Sequence, residues 1–273
     1  MNWQAEFPRQ GFEALSRSLS GSSTRMAVVA AHPDDESIGA SRLLARSRNA
    51  HVIFVTDGAP RDQQFWPKTI ESSREQYAAI RRQEAERALA HAGIPVRQIM
   101  WLGGVDQEAI CGVPELLARL VDLIERLQPE LLLTHPYEGG HPDHDCAALL
   151  ASLALRPSGI DIPRFEMTSY HARHGRLVTG EFLGSNPGEE WLSELSEDDK
   201  NRKRKMFREY RSQHQVLKSF GIDRERFRLA PAYDFQKPPH EGKLWYECLG
   251  WAMTGDRWRT LAAARPEREL SCR

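Results

Sequence analysis

The four cysteines of this 273-residue chain form no CxxC pair and lie far apart, at Cys111, Cys146, Cys248 and Cys272. This spacing argues against a disulfide framework or a thiolate zinc site and favours free thiols in a reducing compartment. The sequence also lacks an apolar run of the ~20 residues that a membrane-spanning helix needs. The first residues contain no continuous apolar segment typical of a signal peptide. We therefore expect a cytoplasmic protein with no membrane span.

A charge excess of either sign is missing as well: 37 basic and 38 acidic residues give a formal net charge of -1. This balance argues against a nucleic-acid partner or an anionic membrane surface. The basic run at 200–205 follows three acidic residues and is interpreted as part of a solvated helix. We expect a small-molecule partner, and a homo-oligomer remains possible.

Short apolar runs alternate with segments rich in helix formers. The predicted strands are 26–31, 51–56, 96–102, 131–134 and 164–170, and the predicted helices between them are 37–48, 72–92, 114–127 and 146–155. This alternation is typical of an α/β fold with a mostly parallel sheet and right-handed crossovers. The fold class expected is a Rossmann-like three-layer sandwich with a C-terminal helical and strand extension.

The predicted domain organisation is an N-terminal arm (1–24) followed by one domain (25–273). Within that domain, about 175–273 comprises a loop-like insertion to 197, a charged helix at about 197–220 and a C-terminal extension. The apolar patch LWYECLGWAM in the extension could form a further strand.

Two of the predicted strands end in a His-Pro-Asp unit. The first strand leads into His32, Asp34 and Asp35, and the fourth leads into a loop that contains His141 and His144. In a doubly wound sheet these strands are neighbours, and ligands bind at the carboxyl ends that they share. Because buried charges need a partner, the usual explanation for such a cluster is a cation. A solvated helix N-terminus could explain the first motif alone but does not explain the pair.

The two motifs, AHPDDE and HPDH, resemble those of the PIG-L/LmbE-type N-acetylglucosamine deacetylases, zinc-dependent amidohydrolases on a Rossmann-like sheet. The resemblance covers about residues 25–220 and includes the TDG turn at 56–58, the IRRQEAERAL helix, the WLGGVDQE loop and the YRSQ segment at 210–213. It implies that His32, Asp35 and His144 hold the metal and that Asp34 is the general base.

The resemblance also implies roles for four residues around that set. His141 would stabilise or protonate the tetrahedral intermediate, and Asp143 would orient His141. Arg81 and Asp106 would bind sugar hydroxyls, although Arg81 could instead form a helix-surface ion pair with Glu84 and Asp106 an Asx-turn. Two imidazoles and one carboxylate leave coordination positions open, as catalytic zinc sites do, and the same set suits Fe²⁺.

Three other histidines lie near these motifs. His135 is interpreted as structural, and His171 and His174 as exposed loop residues. The chain also departs from the family pattern at two places. Ala40-Ser41-Arg42 replaces a glycine pair, and Gly139 replaces a tyrosine, so any tyrosine that assists the oxyanion must come from elsewhere.

The function predicted is metal-dependent hydrolysis of an N-acetyl group on an amino sugar or its conjugate, giving acetate and a free amine. Two alternatives remain open: a metal-dependent esterase or phosphoesterase on the same fold, and a non-enzymatic sugar- or nucleotide-binding module. The loop after the first strand lacks the G-x-G-x-x-G fingerprint, which argues against a dinucleotide ligand.

Overall fold

The computed structural model describes residues 13, 15–17, 23–155, 159, 161–184 and 190–264. Its main sheet contains seven strands in the order β3-β2-β1-β4-β5-β9-β8. These strands are β1 (Arg25–Ala30), β2 (Asn49–Thr56), β3 (Ile99–Gly104), β4 (Leu131–Thr134), β5 (Arg164–Met167), β8 (Glu190–Glu194) and β9 (Arg224–Leu229). The first five are parallel, and β9 and β8 extend the sheet in antiparallel pairing. The predicted mostly parallel α/β sandwich is confirmed.

Eight helices surround the sheet in the described part of the chain. They are α1 (Asp35–Arg46), α2 (Arg74–His91), α3 (Val113–Leu127), α4 (Pro142–Ala154), α5 (Glu197–Glu209), α6 (His214–Leu217), α7 (Trp245–Cys248) and α8 (Gly255–Ala263). A separate hairpin consists of β6 (Tyr170–Arg173) and β7 (Arg176–Thr179). No helix among the described residues is long and apolar enough to cross a membrane.

Both faces of β1 are covered, which explains its continuous apolar sequence. Ala27 and Val29 pack with residues of α3 and α4 on one face. Met26 and Val28 pack with residues of α1, α2 and α5 on the other face. The result is three layers with one core on each side of the sheet.

The pairing of β1 with β4 places the two His-Pro-Asp motifs side by side. Met26 lies opposite Leu131 and Val28 opposite Leu133 in a parallel register. Both strands therefore deliver their following loops to the same edge of the sheet. The predicted adjacency of the first and fourth strands in the sheet is confirmed.

The helix after the second motif begins earlier than predicted. Pro142 is its first residue and His141 is its N-cap, where Nδ1 of the ring accepts the Asp143 N–H at 3.1 Å. Proline suits a first helical position because its missing N–H would have no helical partner there. The prediction of a start at Cys146 was wrong, and the motif forms the first turn of α4.

The C-terminal half contains more strand than predicted. The segment interpreted as a loop-like insertion supplies β7 and β8, and β9 was not predicted. The charged helix ends at Glu209, well before Phe220, and the apolar patch forms the short helix α7 instead of a strand. Short antiparallel strands rich in polar and charged residues, such as β8 and β9, give a weak sequence signal, because they lack a continuous apolar run.

The residues that replace the family's glycine pair join α1 to β8 and β9. Ser41 Oγ donates to Glu225 Oε1 at 2.6 Å, and the Arg42 guanidinium donates to Ser193 Oγ at 2.7 Å. Ala40, directly before them, has non-helical dihedral angles, so α1 is kinked there. The predicted arm (1–24) lies largely outside the described residues, and the division into an arm and one domain remains a prediction.

Candidate metal centre

The carboxyl edge of β1 and β4 carries a buried cluster of histidines and carboxylates. One nitrogen each from His32 and His144 and one oxygen of Asp35 lie within 4.8 Å of one another. Asp35 lies between the two rings, with Oδ2 3.3 Å from His32 Nδ1 and Oδ1 3.2 Å from His144 Nε2. The three side chains predicted as metal ligands are thus brought together at one point.

The protonation states of the cluster fit a divalent cation. Burial lowers the pKa of His144 to about 3, so this imidazole is neutral and its lone pair is available. Burial opposes ionisation of Asp35, but the neighbouring His144 and His135 outweigh it and hold the pKa of Asp35 well below its usual value. A neutral imidazole beside an ionised carboxylate is the donor chemistry that zinc and similar metals select.

His144 is held in place by its neighbours. Its Nδ1 lies 3.3 Å from Ser169 Oγ, and its ring stacks on His135 at a centroid distance of 4.1 Å. His135 is fully buried and accepts the Ala31 N–H at Nε2. This contact supports the structural interpretation of His135, which fixes the ring orientation of a potential ligand.

Asp34 has an unusual backbone conformation for a residue with a side chain. Its φ is 128° and its ψ is -28°, a positive-φ conformation that costs about 1–3 kcal/mol and is concentrated at functional sites. Burial raises the pKa of Asp34 to about 7, against the opposing charge of Arg81. A carboxylate with this pKa can accept and release a proton near neutral pH.

Arg81 lies beneath the first motif instead of on the helix surface. Its guanidinium donates to the backbone oxygens of Gly58 and Pro33, at 3.1 and 2.5 Å, and to Asp34 Oδ2 at 3.3 Å. The alternative of a surface ion pair with Glu84 is wrong: Glu84 is buried and accepts both the backbone N–H and the hydroxyl of Ser212. Nη1 of Arg81 has no hydrogen-bond partner among the described residues, and this donor is available to a ligand.

The Asp143 side chain contacts His32 more closely than His141. Its Oδ2 lies 3.1 Å from His32 Nε2 and 3.9 Å from His141 Nδ1, and it also accepts the Gln107 N–H at 2.6 Å. The backbone of Asp143 is what contacts His141, by donating to Nδ1. This bond leaves the proton of a neutral His141 ring on Nε2, which lies 3.7 Å from Asp106 Oδ1.

The cluster forms the floor of a cavity of about 450 Å³. Arg81, Asp106 and His141 line it, as expected for residues near a substrate. Sequence reasoning missed Tyr170 and Trp251, which also line it: Tyr170 packs against His144 at a ring distance of 5.0 Å, and Trp251 packs edge-on against His141 at 4.6 Å. Neither tyrosine nor tryptophan lies in a motif, so only the folded chain reveals them.

Two further histidines differ in their burial. His174 lies exposed at the turn of the β6–β7 hairpin, as predicted. His171 is fully buried with Nδ1 3.4 Å from Glu138 Oε2, so its assignment to an exposed loop was wrong. Its position on β6 turns the side chain away from solvent. A strand of four residues is too short for its sequence to reveal which side chains are buried.

The sheet and its buried His–Asp cluster define an α/β protein with a site that can hold a divalent metal. Residues 27–155 match the family model described as PIG-L: GlcNAc-PI de-N-acetylase. The resemblance inferred from the two motifs is therefore confirmed over this part of the chain.

Two relatives and one solved structure are similar to the chain. The chain is 29% identical over 201 residues to a 1D-myo-inositol 2-acetamido-2-deoxy-alpha-D-glucopyranoside deacetylase of Mycolicibacterium vanbaalenii, covering 64% of this chain and 68% of the relative. It is 30% identical to a protein of the same name from Streptomyces griseus, covering 56% of this chain and 57% of the relative. A crystal structure of an antimicrobial pseudoaglycone deacetylase shares the fold, with a TM-score of 0.59 at 20% identity over 78% of this chain and 99% of the other.

Proposed function

We propose that the protein is a zinc-dependent N-deacetylase that hydrolyses the acetamido group of an amino sugar or its conjugate, giving acetate and a free amine. The observation that carries this proposal is the position of Asp34 beside the His32–Asp35–His144 set, on the floor of a cavity in a chain whose residues 27–155 match the PIG-L family model. The deacetylase names of the two relatives support the same reaction. Cytoplasmic location remains part of the proposal.

Zinc would be held by one nitrogen of His32, one nitrogen of His144 and the carboxylate of Asp35. A bound divalent metal acidifies water and polarises an amide carbonyl. Asp106, together with Asp143 and Asp35, outweighs the effect of burial and raises the pKa of His32 well above its usual value. The carboxylates around His32 thus favour positive charge at this position, which suits a site for a cation.

In this proposal Asp34 removes the proton from the attacking water. Its carboxylate lines the cavity and accepts a hydrogen bond from Arg81, which also donates to the backbone oxygens of Pro33 and Gly58. A carboxylic acid whose pKa lies near neutrality can also return this proton to the leaving amine. One residue can therefore serve both halves of the reaction.

His141 and Tyr170 are hydrogen-bond donors available to the developing oxyanion. Burial, reinforced by His32 and His144, holds the pKa of His141 well below its usual value, so it donates as a neutral ring through Nε2 instead of as the imidazolium considered from the sequence. Burial and four nearby carboxylates raise the pKa of Tyr170, so its phenol keeps the proton. Pre-oriented donors of this kind are typically worth 10²–10³ in kcat each.

An acetate-release assay tests the function. The zinc-loaded protein is incubated separately with N-acetylglucosamine conjugates, O-acetyl sugars and sugar phosphates. The expected result is free amine and acetate in equal amounts from the acetamido compounds. Turnover confined to the O-acetyl compounds or the phosphates would establish the esterase or phosphoesterase alternative instead.

A further inference from the structure

The cavity has a polar, buried floor, whereas part of its lining is apolar and exposed to solvent. The three polar residues on its floor, His32, Asp35 and His144, are only 7%, 4% and 3% exposed. Three apolar residues that line the same cavity are open to solvent instead: Leu177 at 39%, Val216 at 49% and Leu249 at 43%. We name these three residues the apolar collar.

The apolar collar is a concentration of exposed hydrophobic surface. The described residues include five exposed large hydrophobic side chains, and the other two, Val96 and Leu192, do not line the cavity. Single exposed apolar residues are ordinary, whereas a group around one opening marks a binding surface. The position of the collar on the cavity that holds the His–Asp cluster indicates that its ligand is the molecule that enters this cavity.

The collar comes from three separate elements. Leu177 lies on β7, Val216 on α6 and Leu249 directly after α7. All three lie outside residues 27–155, the part that matches the family model. The catalytic half of the site thus belongs to the shared domain, and the apolar part is supplied by the segments that follow it.

Aromatic contacts connect the two parts of the cavity. Trp251 packs against His141 on one side and against Phe65 on the other, with ring distances of 4.6 and 5.7 Å. Phe220 contacts Tyr170 at 6.0 Å. The apolar lining therefore continues from the exposed collar to the rings beside the cluster. Polar side chains also line the cavity, among them Arg81 and Gln213.

We propose that the substrate is amphiphilic: an N-acylated amino sugar that carries an alkyl or aryl substituent, with the amide at the His–Asp cluster and the substituent on the apolar collar. This inference rests on the proposed deacetylase function. The substituent can belong either to the acyl group or to the group attached to the sugar. Both present the same apolar chemistry to the collar, and experiment separates them.

Two substrate series test the proposal, each used below its critical micelle concentration. One is N-acetylglucosamine with glycosidic alkyl groups from methyl to octyl, and the other is methyl glucosaminide with N-acyl groups from acetyl to octanoyl. Burial of one methylene is typically worth about fourfold in affinity. We expect kcat/KM to rise at least tenfold along one series, and that series identifies the source of the substituent. A flat response in both series overturns the proposal.

Two matched surface variants test whether the collar causes the dependence of kcat/KM on chain length. Leu249→Ser removes one collar side chain, and Leu192→Ser removes an equally exposed leucine, 45% open, on β8 outside the cavity. We expect the chain-length dependence to shrink severalfold in Leu249→Ser and to persist in Leu192→Ser. An equal response of the two variants overturns the assignment.

A binding measurement separates this proposal from the proposed function. If no compound is hydrolysed, the deacetylase proposal fails. Titration of tryptophan fluorescence with the methyl and octyl glycosides then tests whether the collar binds the alkyl substituent. Binding of the octyl compound at least tenfold tighter than the methyl compound, lost in Leu249→Ser, supports it. Equal binding overturns it. A self-association that Leu249→Ser abolishes, without any preference for octyl, would assign the collar to a second copy of the chain and also overturn the proposal.

Discussion

Oδ2 of Asp143 lies 3.1 Å from Nε2 of His32, although the two residues are 111 positions apart in the chain. Each side chain is nearly or fully buried, and each belongs to a different His-Pro-Asp motif. The contact exists because β1 and β4 pair in parallel and release their loops at one edge of the sheet. The chemistry proposed for the site depends on this pairing.

Asp34→Asn should bind metal and lose most turnover. An amide cannot accept the proton of the attacking water, and loss of a general base typically lowers kcat by 10²–10⁴. The measurement is kcat together with metal content by atomic absorption. Full activity with normal metal content would remove Asp34 from the role of base.

His144→Ala should lower the metal stoichiometry. The substitution removes one of three donors from a set whose atoms lie within 4.8 Å of one another. His174→Ala is the matched control, since His174 is exposed on a hairpin turn. Metal content after dialysis against a weak chelator is measured for both. Equal stoichiometry in the two variants would contradict a ligand role for His144.

Tyr170→Phe should lower kcat by roughly 10²–10³ while KM changes little. The ring that packs against His144 is preserved, and only the hydroxyl that can donate to a developing oxyanion is lost. Steady-state kinetics and a thermal melt measure the effect. A lowered melting temperature with unchanged kcat would make Tyr170 a packing residue only.

Arg81→Lys should lower kcat more than it raises KM if Arg81 mainly positions the first motif. Lysine cannot reproduce the planar fork that reaches Gly58, Pro33 and Asp34 together. Arg82→Lys is the control on the same helix, because Arg82 is exposed and its guanidinium lies over Trp101. The opposite split, a raised KM with kcat preserved, would favour the role in sugar binding predicted from the family.

Gly139→Ala should destabilise the protein by about 2–5 kcal/mol, the sum of a left-handed backbone and an overpacked contact. Gly139 has a φ of 69°, and an added Cβ would lie 2.6 Å from Leu244 Cδ2. Gly93→Ala separates the two costs, since Gly93 has a φ of 79° and open space around it. Equal losses in chemical denaturation would exclude the Leu244 contact as a cause.

The same geometry explains one departure from the family pattern. A tyrosine at position 139 would need both a strained backbone and the space that Leu244 fills. In this chain Tyr77 and Tyr170 line the cavity, and Tyr170, on β6, packs against His144. The missing tyrosine was visible in the sequence, whereas its spatial substitute was not.

The sequence by itself determined the parallel sheet and the two motifs, because apolar runs of strand length and His-Pro-Asp units are local signals. It did not determine the antiparallel strands β8 and β9, the buried position of Arg81 or the apolar collar. Those features depend on which surfaces meet after the chain folds. A side chain such as Leu249 is the same in the sequence whether it packs in a core or lines the opening of a cavity, and only the tertiary structure decides between them.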